Sequence, residues 1–401
     1  MLKKSPFFDF LNRRSDSSFE DFVATSAEDV DYINWNEFLL PNDYGDAELE
    51  YHAIRQSCAV FDVSPLRKIR VHGSDAGAFF DRILTRPVSG LASMRATYTV
   101  FCNTDGSLKD DAILYKFADD DYLMMPSDID HSPYFESVCR QCSIEDVSFT
   151  ECTDGWYGVA IQGPLSAVVL QEMGFDSVDQ LLPFEVREYE FGGGAICVAR
   201  MGFTADLGYE CWLAPPLASA LIEWLETVRA AMNIELPGYG LDALQACRLE
   251  GGFIVAGWDC STEVDPQPGF ERSPYELGLG WLVDLHSNDF VGKDALVEQN
   301  ANGPAYSLRY FSLDENMKLQ DGTRIYAIDG DDVIGSINCS SWSWGLQQTI
   351  GNASIESEYS DQECGRVSID GRFADLSLNR KPLLELQRRN QVPAPTDYGT
   401  T

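Results

Sequence analysis

The sequence predicts an α+β chain of two or three domains that ends in an all-β barrel or jelly-roll, and three observations carry the prediction. The chain has 401 residues, 44% of them hydrophobic, which is ample for a large core and for domains of about 100–200 residues each. Through the first 250 residues, strand-like runs bounded by turn residues are interspersed with segments of helical spacing. Beyond that, residues 333–355 and 363–378 alternate apolar with polar residues between turn signals, the pattern of a β-barrel or jelly-roll.

In chain order, residues 1–50 are acidic and aromatic, with turn signals at Pro41-Asn42-Asp43 and Gly45. Residues 48–57 read as a helix, 59–64 and 68–73 as strands. In the next helix Ala78, Phe79, Ile83 and Leu84 share a face, and Ser74 is the expected N-cap. Residues 96–117 read as a β-hairpin, turning at Asn103-Thr104-Asp105-Gly106. A strand over 121–127 and a helix over 130–142 follow. Then come a strand over 156–164, a helix ending at Gly174, and a hairpin over 186–201 through Gly192-Gly193-Gly194. Helices are expected over 217–232 and 240–252, and disorder over 391–401.

The glycine triplet lacks G-x-G-x-x-G spacing and opens no helix, so it is not a dinucleotide loop. No apolar run reaches the roughly 18 residues of a membrane span. The N-terminus, broken by Asp9, is a poor export signal, so a cytoplasmic protein with no membrane partner is expected. With 64 acidic against 29 basic residues and a formal charge of −35, the chain repels nucleic acid phosphates. Such acidity suits a saline environment. The 11 cysteines lie in apolar strings and read as reduced, buried thiols. Cys139 and Cys142 form one CxxC with no partner pair, read as helix packing. Four histidines make a His-rich metal site improbable, and no metal is expected.

Two acids, Asp110 and Asp111, stand where the return strand of the 96–117 hairpin begins. Side chains alternate along a strand, so one carboxylate is expected to face a pocket and the other to face away. An acid beside apolar residues at a strand start is placed for a raised pKa. Solvated turn acids are the plainer reading.

A resemblance chooses between these readings. Glu50 with Tyr51-His52-Ala53-Ile54-Arg55, Phe61-Asp62-Val63-Ser64, Tyr98-Thr99 and Gly106-Ser107-Leu108-Lys109-Asp110-Asp111 resemble, in order, the motifs of the aminomethyltransferase family. That family holds the glycine-cleavage T-protein and its folate-dependent demethylase relatives. Residues 156–164, 201–215 and 240–252 extend the likeness, and 269–296 is similar to the demethylase branch. Pro65, Leu244 and Gln245 depart from the pattern, standing where the family has His, Arg and Asp, and Asp206 stands for its first Glu.

The resemblance implies a three-domain ring with interleaved first and second domains (1–58 with 150–236, and 59–149 with 237–285), then a barrel over 286–390 and a tail over 391–401. It implies tetrahydrofolate as cofactor, Tyr98, Asp110, Glu210 and Arg248 as cofactor-binding residues, and Asp110 as the catalytic one. Glu210 would accept from the amino-pyrimidine edge of a pterin, since a carboxylate is acceptor-only and that edge carries two parallel donors. The expected activity is transfer of a methyl group from a small methylated S-, N- or O-compound to tetrahydrofolate. The alternatives are aminomethyl transfer with a carrier protein, which the acidic surface disfavours, and a non-enzymatic folate-binding factor. The factor's K-G-C-Y-x-G-Q-E motif has no counterpart here.

Overall fold

The computed structural model describes residues 2–14, 18–25, 31–263, 265–286, 289–317, 319–369 and 371–393. The disorder expected over 391–401 falls, from 394 onward, outside the described residues. The fold is mixed helix and sheet with a closed C-terminal barrel, in two compact units.

The first unit comprises Met1–Arg67, Cys152–Arg248 and Glu385–Thr401. Its sheet runs Val186–Phe191, Gly194–Ala199, Gly208–Leu213, Tyr157–Gln162, Ala59–Asp62, antiparallel throughout. The first two strands form the expected hairpin. Gly192 and Gly193 turn it at φ 57° and 82°, left-handed values that cost glycine nothing. Helices Ser166–Glu172 and Ala218–Met232 lay Val169, Leu170, Leu221 and Leu225 on the sheet residues Val60, Val159, Ile161 and Val198. Helix Leu241–Glu250 completes the unit up to its boundary at Arg248. Trp212 is fully buried across from Gly158, and a Cβ there would stand 2.3 Å from the indole ring. Gly158→Ala is therefore expected to overpack this core and to lower stability by about 1–3 kcal/mol, read as a fall in urea midpoint at unchanged slope.

The second unit comprises Lys68–Glu151 and Leu249–Leu384. Its antiparallel sheet has the order Arg95–Cys102, Leu108–Ala118, Asp121–Pro126, Ile69–His72, Ser148–Glu151. Helices Ala76–Ile83 and Ser132–Cys142 cover one face, packing Phe79, Phe80, Ile83, Phe135 and Val138 on Ile69, Val71, Phe101, Leu114 and Met124. The expected Ser74 cap is not made. Ser74 Oγ instead donates to Asp146 at 2.6 Å, tying the helix start to the loop before the edge strand, and the helix begins without a side-chain cap.

The barrel has six strands in the closed order Tyr306–Leu313, Gln348–Glu356, Val333–Ser343, Arg324–Tyr326, Cys364–Ile369, Arg372–Asn379, the last pairing back to the first. Closure removes the sheet edges, and Phe311, Ile325, Ile337, Ile355, Val367 and Leu376 fill its core. All eleven cysteines are free thiols. Cys142 and Cys364 are exposed, which corrects the expectation that all are buried. Among the described residues, no helix is long and apolar enough to cross a membrane.

Candidate functional site

The hairpin Arg95–Cys102/Leu108–Ala118 carries the chemistry of the second unit. Strand pairing sets Phe101 opposite Asp110 and Val100 opposite Asp111, with a bulge at Phe101/Cys102. Phe101 belongs to the helix-covered core, and Asp110 shares its face. The opposite face, with Tyr98, Val100 and Leu108, meets a different apolar cluster. Ala256, Cys260, Leu277, Leu279 and Leu282 form it, from a long segment of little regular structure.

The two acids consequently live in opposite environments, and the expected orientation is corrected. Asp110 does not face an open pocket: it is wholly enclosed. Its Oδ1 accepts from the Asp111 N–H at 2.9 Å. Its Oδ2 takes the Ser127 N–H at 3.2 Å, the Ser127 hydroxyl at 2.5 Å and His131 Nε2 at 2.7 Å. Three of the four bonds converge on Oδ2, which fixes the carboxylate in the interior of the unit. The physical reason is parity. Asp110 lies on the face of Ala112 and Leu114, which pack under the helices. Asp111 is half-buried on the other face, accepting from the Tyr98 hydroxyl at 2.8 Å. Burial, then the charge of Asp110, pushes Asp111 up to about 7, with the Tyr98 hydrogen bond opposing. Burial and Asp111 together hold the Tyr98 phenol well above its ordinary range.

Glu210 and Arg248 belong to the first unit. Glu210 stands half-buried in the strand Gly208–Leu213, and its Oε2 accepts from Trp212 Nε1 at 3.3 Å. Arg248 is buried near the end of helix Leu241–Glu250. Its Nε donates to Gln245 Oε1 at 2.7 Å, so the residue that departs from the family pattern holds Arg248 by a neutral amide. Asp206 is a clasp. Its buried carboxylate accepts from Arg55 Nη1 at 3.1 Å and, in bidentate fashion, from Arg388 at 2.6 and 2.8 Å. Among the expected residues, then, Tyr98 and Asp110 lie on one hairpin of the second unit, and Glu210 and Arg248 lie in the first. Asp111 was the acid given the lesser role. No sequence signal separates the two acids, because residues 112–115 are apolar on both faces of the strand. No group of three or more His, Cys, Asp or Glu suited to a metal ion occurs among the described residues.

The mixed fold with its closed barrel does not by itself name a reaction, and comparisons with known proteins supply the class. The family model described as the GCVT N-terminal domain matches residues 22–287. The aminomethyltransferase of Lysinibacillus sphaericus is 30% identical over 342 residues, 85% of this chain and 89% of that one. That of Exiguobacterium sibiricum is 28% identical over 374 residues, 92% and 94% of the two chains. The crystal structure of glycine cleavage system aminomethyltransferase T from Bartonella henselae shares the fold, with a TM-score of 0.80 and 19% identity, covering 96% of this chain and 99% of that one. The chain belongs to the aminomethyltransferase family, and it is a tetrahydrofolate-dependent one-carbon transferase. Its own residues suit that cofactor. Half-buried Glu210 is an acceptor for paired N–H donors, and Asp111 is a carboxyl that titrates near neutral pH.

Proposed function

We propose that the chain transfers an aminomethyl-type carbon to tetrahydrofolate, with Asp111 holding and moving the proton at the reacting centre. The observation that carries this reading is the separation of the two acids. Asp110 is held by four hydrogen bonds, and burial, followed by the charge of Asp110, keeps a proton on Asp111 up to near-neutral pH. A carboxyl poised near the working pH both gives and takes a proton efficiently. Tyr98 orients it through the 2.8 Å bond. When bound, tetrahydrofolate supplies the ring nitrogen that takes up the carbon. The name shared by the relatives supports the aminomethyl donor.

Transfer of a methyl group from a free methylated compound is the second reading. Gln245 and Leu244, on the helix that bears Arg248, favour it, as does the −35 charge, which disfavours docking of an acidic carrier. The test is a product analysis with tetrahydrofolate and either an aminomethyl-loaded lipoyl carrier or a panel of methylated S-, N- and O-compounds. Ammonia release with methylene-tetrahydrofolate is the expected result. Methyl-tetrahydrofolate from a free donor, with no turnover of the carrier, replaces it with the second reading.

A further inference from the structure

We infer that Arg86 recognises a carboxylate on a ligand of this site, an assignment that rests on the one-carbon transfer reading and adds the ligand chemistry to it. Arg86 lies in the loop after helix Ala76–Ile83. Its neighbour Thr85 pins that loop. The Thr85 hydroxyl donates to the Leu282 carbonyl at 2.8 Å, and the Thr85 carbonyl accepts from the Asp284 N–H at 2.8 Å. These bonds draw up the turn Gly280–Leu282 and set the Trp281 ring 5.5 Å from the Arg86 guanidinium carbon.

Arg86 Nη2 donates to Thr97 Oγ1 at 2.5 Å and to the Tyr98 carbonyl at 2.9 Å. Nη1 and Nε make no hydrogen bond, and no carboxylate lies within ion-pair distance of the guanidinium, among the described residues. The chain has 64 acids to 29 bases, so a half-buried arginine left without an acid is not for want of acids. Burial lowers its pKa, and no neighbouring negative charge offsets that burial. A partly desolvated cation without a counter-ion is costly. This one is nevertheless held in position by a ring on one side and two acceptors on the other.

What the arrangement leaves open is the rest of a planar fork of N–H donors, which matches a carboxylate in bidentate geometry. The fork hangs on the backbone of Tyr98, whose phenol holds Asp111. A carboxylate gripped by Arg86 is thereby registered against the strand that orients the titrating acid. Trp281 stays 64% exposed beside it, an apolar face open to an incoming ligand.

The carboxylate has two possible sources, the glutamate tail of the cofactor or the acid group of a small donor. Calorimetric titration separates them. Wild type, Arg86→Gln and Arg86→Lys are each titrated with tetrahydrofolate and with tetrahydropteroate, which lacks the glutamate. The same proteins are then titrated with N,N-dimethylglycine and with its methyl ester. Arg86→Gln is expected to weaken the carboxylate-bearing member of one pair at least tenfold while leaving its carboxylate-free counterpart unchanged, and the pair that responds names the source. Arg86→Lys keeps the charge but not the fork, is expected to recover only part of the loss, and serves as the working variant if the glutamine protein fails to fold. Equal losses for both members of each pair, or wild-type indifference to the carboxylate in both, overturns the inference and leaves the one-carbon reading standing. A wild type that binds neither tetrahydrofolate nor tetrahydropteroate removes that reading, and this inference with it.

Discussion

Asp111→Asn is expected to lower the transfer rate by about 10²–10⁴-fold, the range for a lost acid–base group, while the fold persists. The amide keeps the shape and can still accept from Tyr98, so the hairpin face with Val100 and Leu108 stays packed. Single-turnover transfer by the two proteins measures the effect, and equal rates would leave catalysis to positioning alone. The same carboxyl gives a stability signature whose sign is fixed. In the folded chain Asp111 holds its proton to about 7, against 3.8 for an unperturbed carboxyl. Between those values the folded state binds more protons than the unfolded one, so this group's contribution falls as pH rises from about 4 through 7. The wild-type thermal midpoint is therefore expected to drop more than that of Asp111→Asn between pH 5 and pH 8.

Asp110→Ala is expected to fail in the opposite way, by loss of structure. The change strips acceptors from the Asp111 N–H, the Ser127 N–H and hydroxyl, and His131 Nε2, around a carboxylate that is itself wholly enclosed. Removing one partner from such a buried polar group costs about 3–5 kcal/mol. Urea unfolding of the variant checks this, and a midpoint within error of wild type would contradict it. Asp110→Asn keeps two acceptor positions at its oxygen and should cost less. It also removes the charge that helps hold a proton on Asp111, so any surviving rate–pH profile should shift toward acid.

These two expectations exchange the roles that strand alternation and family likeness had assigned, and the exchange shows where the sequence stops being readable. The hairpin, the helix over 240–252, the 217–232 helix and the alternating barrel strands all carry periodic apolar patterns, and the structure has each of them. The face of Asp110 carries none. Ile113 and Tyr115 are as apolar as Ala112 and Leu114, so a period of two says that the acids part but not which one enters the core. The strand Ser148–Glu151 is short and mostly exposed, which leaves no alternation to detect. Ser74 had the right chemistry for a cap, and Asp146 took its hydroxyl from 72 residues away. Arg86 gave no signal in its polar loop, because what sets it apart is the spatial absence of an acid. Asp206 drew notice only as a departure from the family motif, whereas its role depends on Arg388, 182 residues later in the chain.

That separation bears on the order in which the protein can be built. The first unit is assembled from three stretches, the last of them opening at Glu385, and domains emerging from the ribosome tend to fold as units, N-terminal parts first. Here the earlier unit receives its last stretch only at the end of synthesis. Asp206 receives Arg55 early, but the bidentate guanidinium arrives only after the whole barrel, up to Asn379, has been synthesised. Until then Asp206 has Arg55 as its guanidinium partner but lacks the two donors of Arg388. The barrel, drawn from one continuous stretch, can meanwhile complete itself.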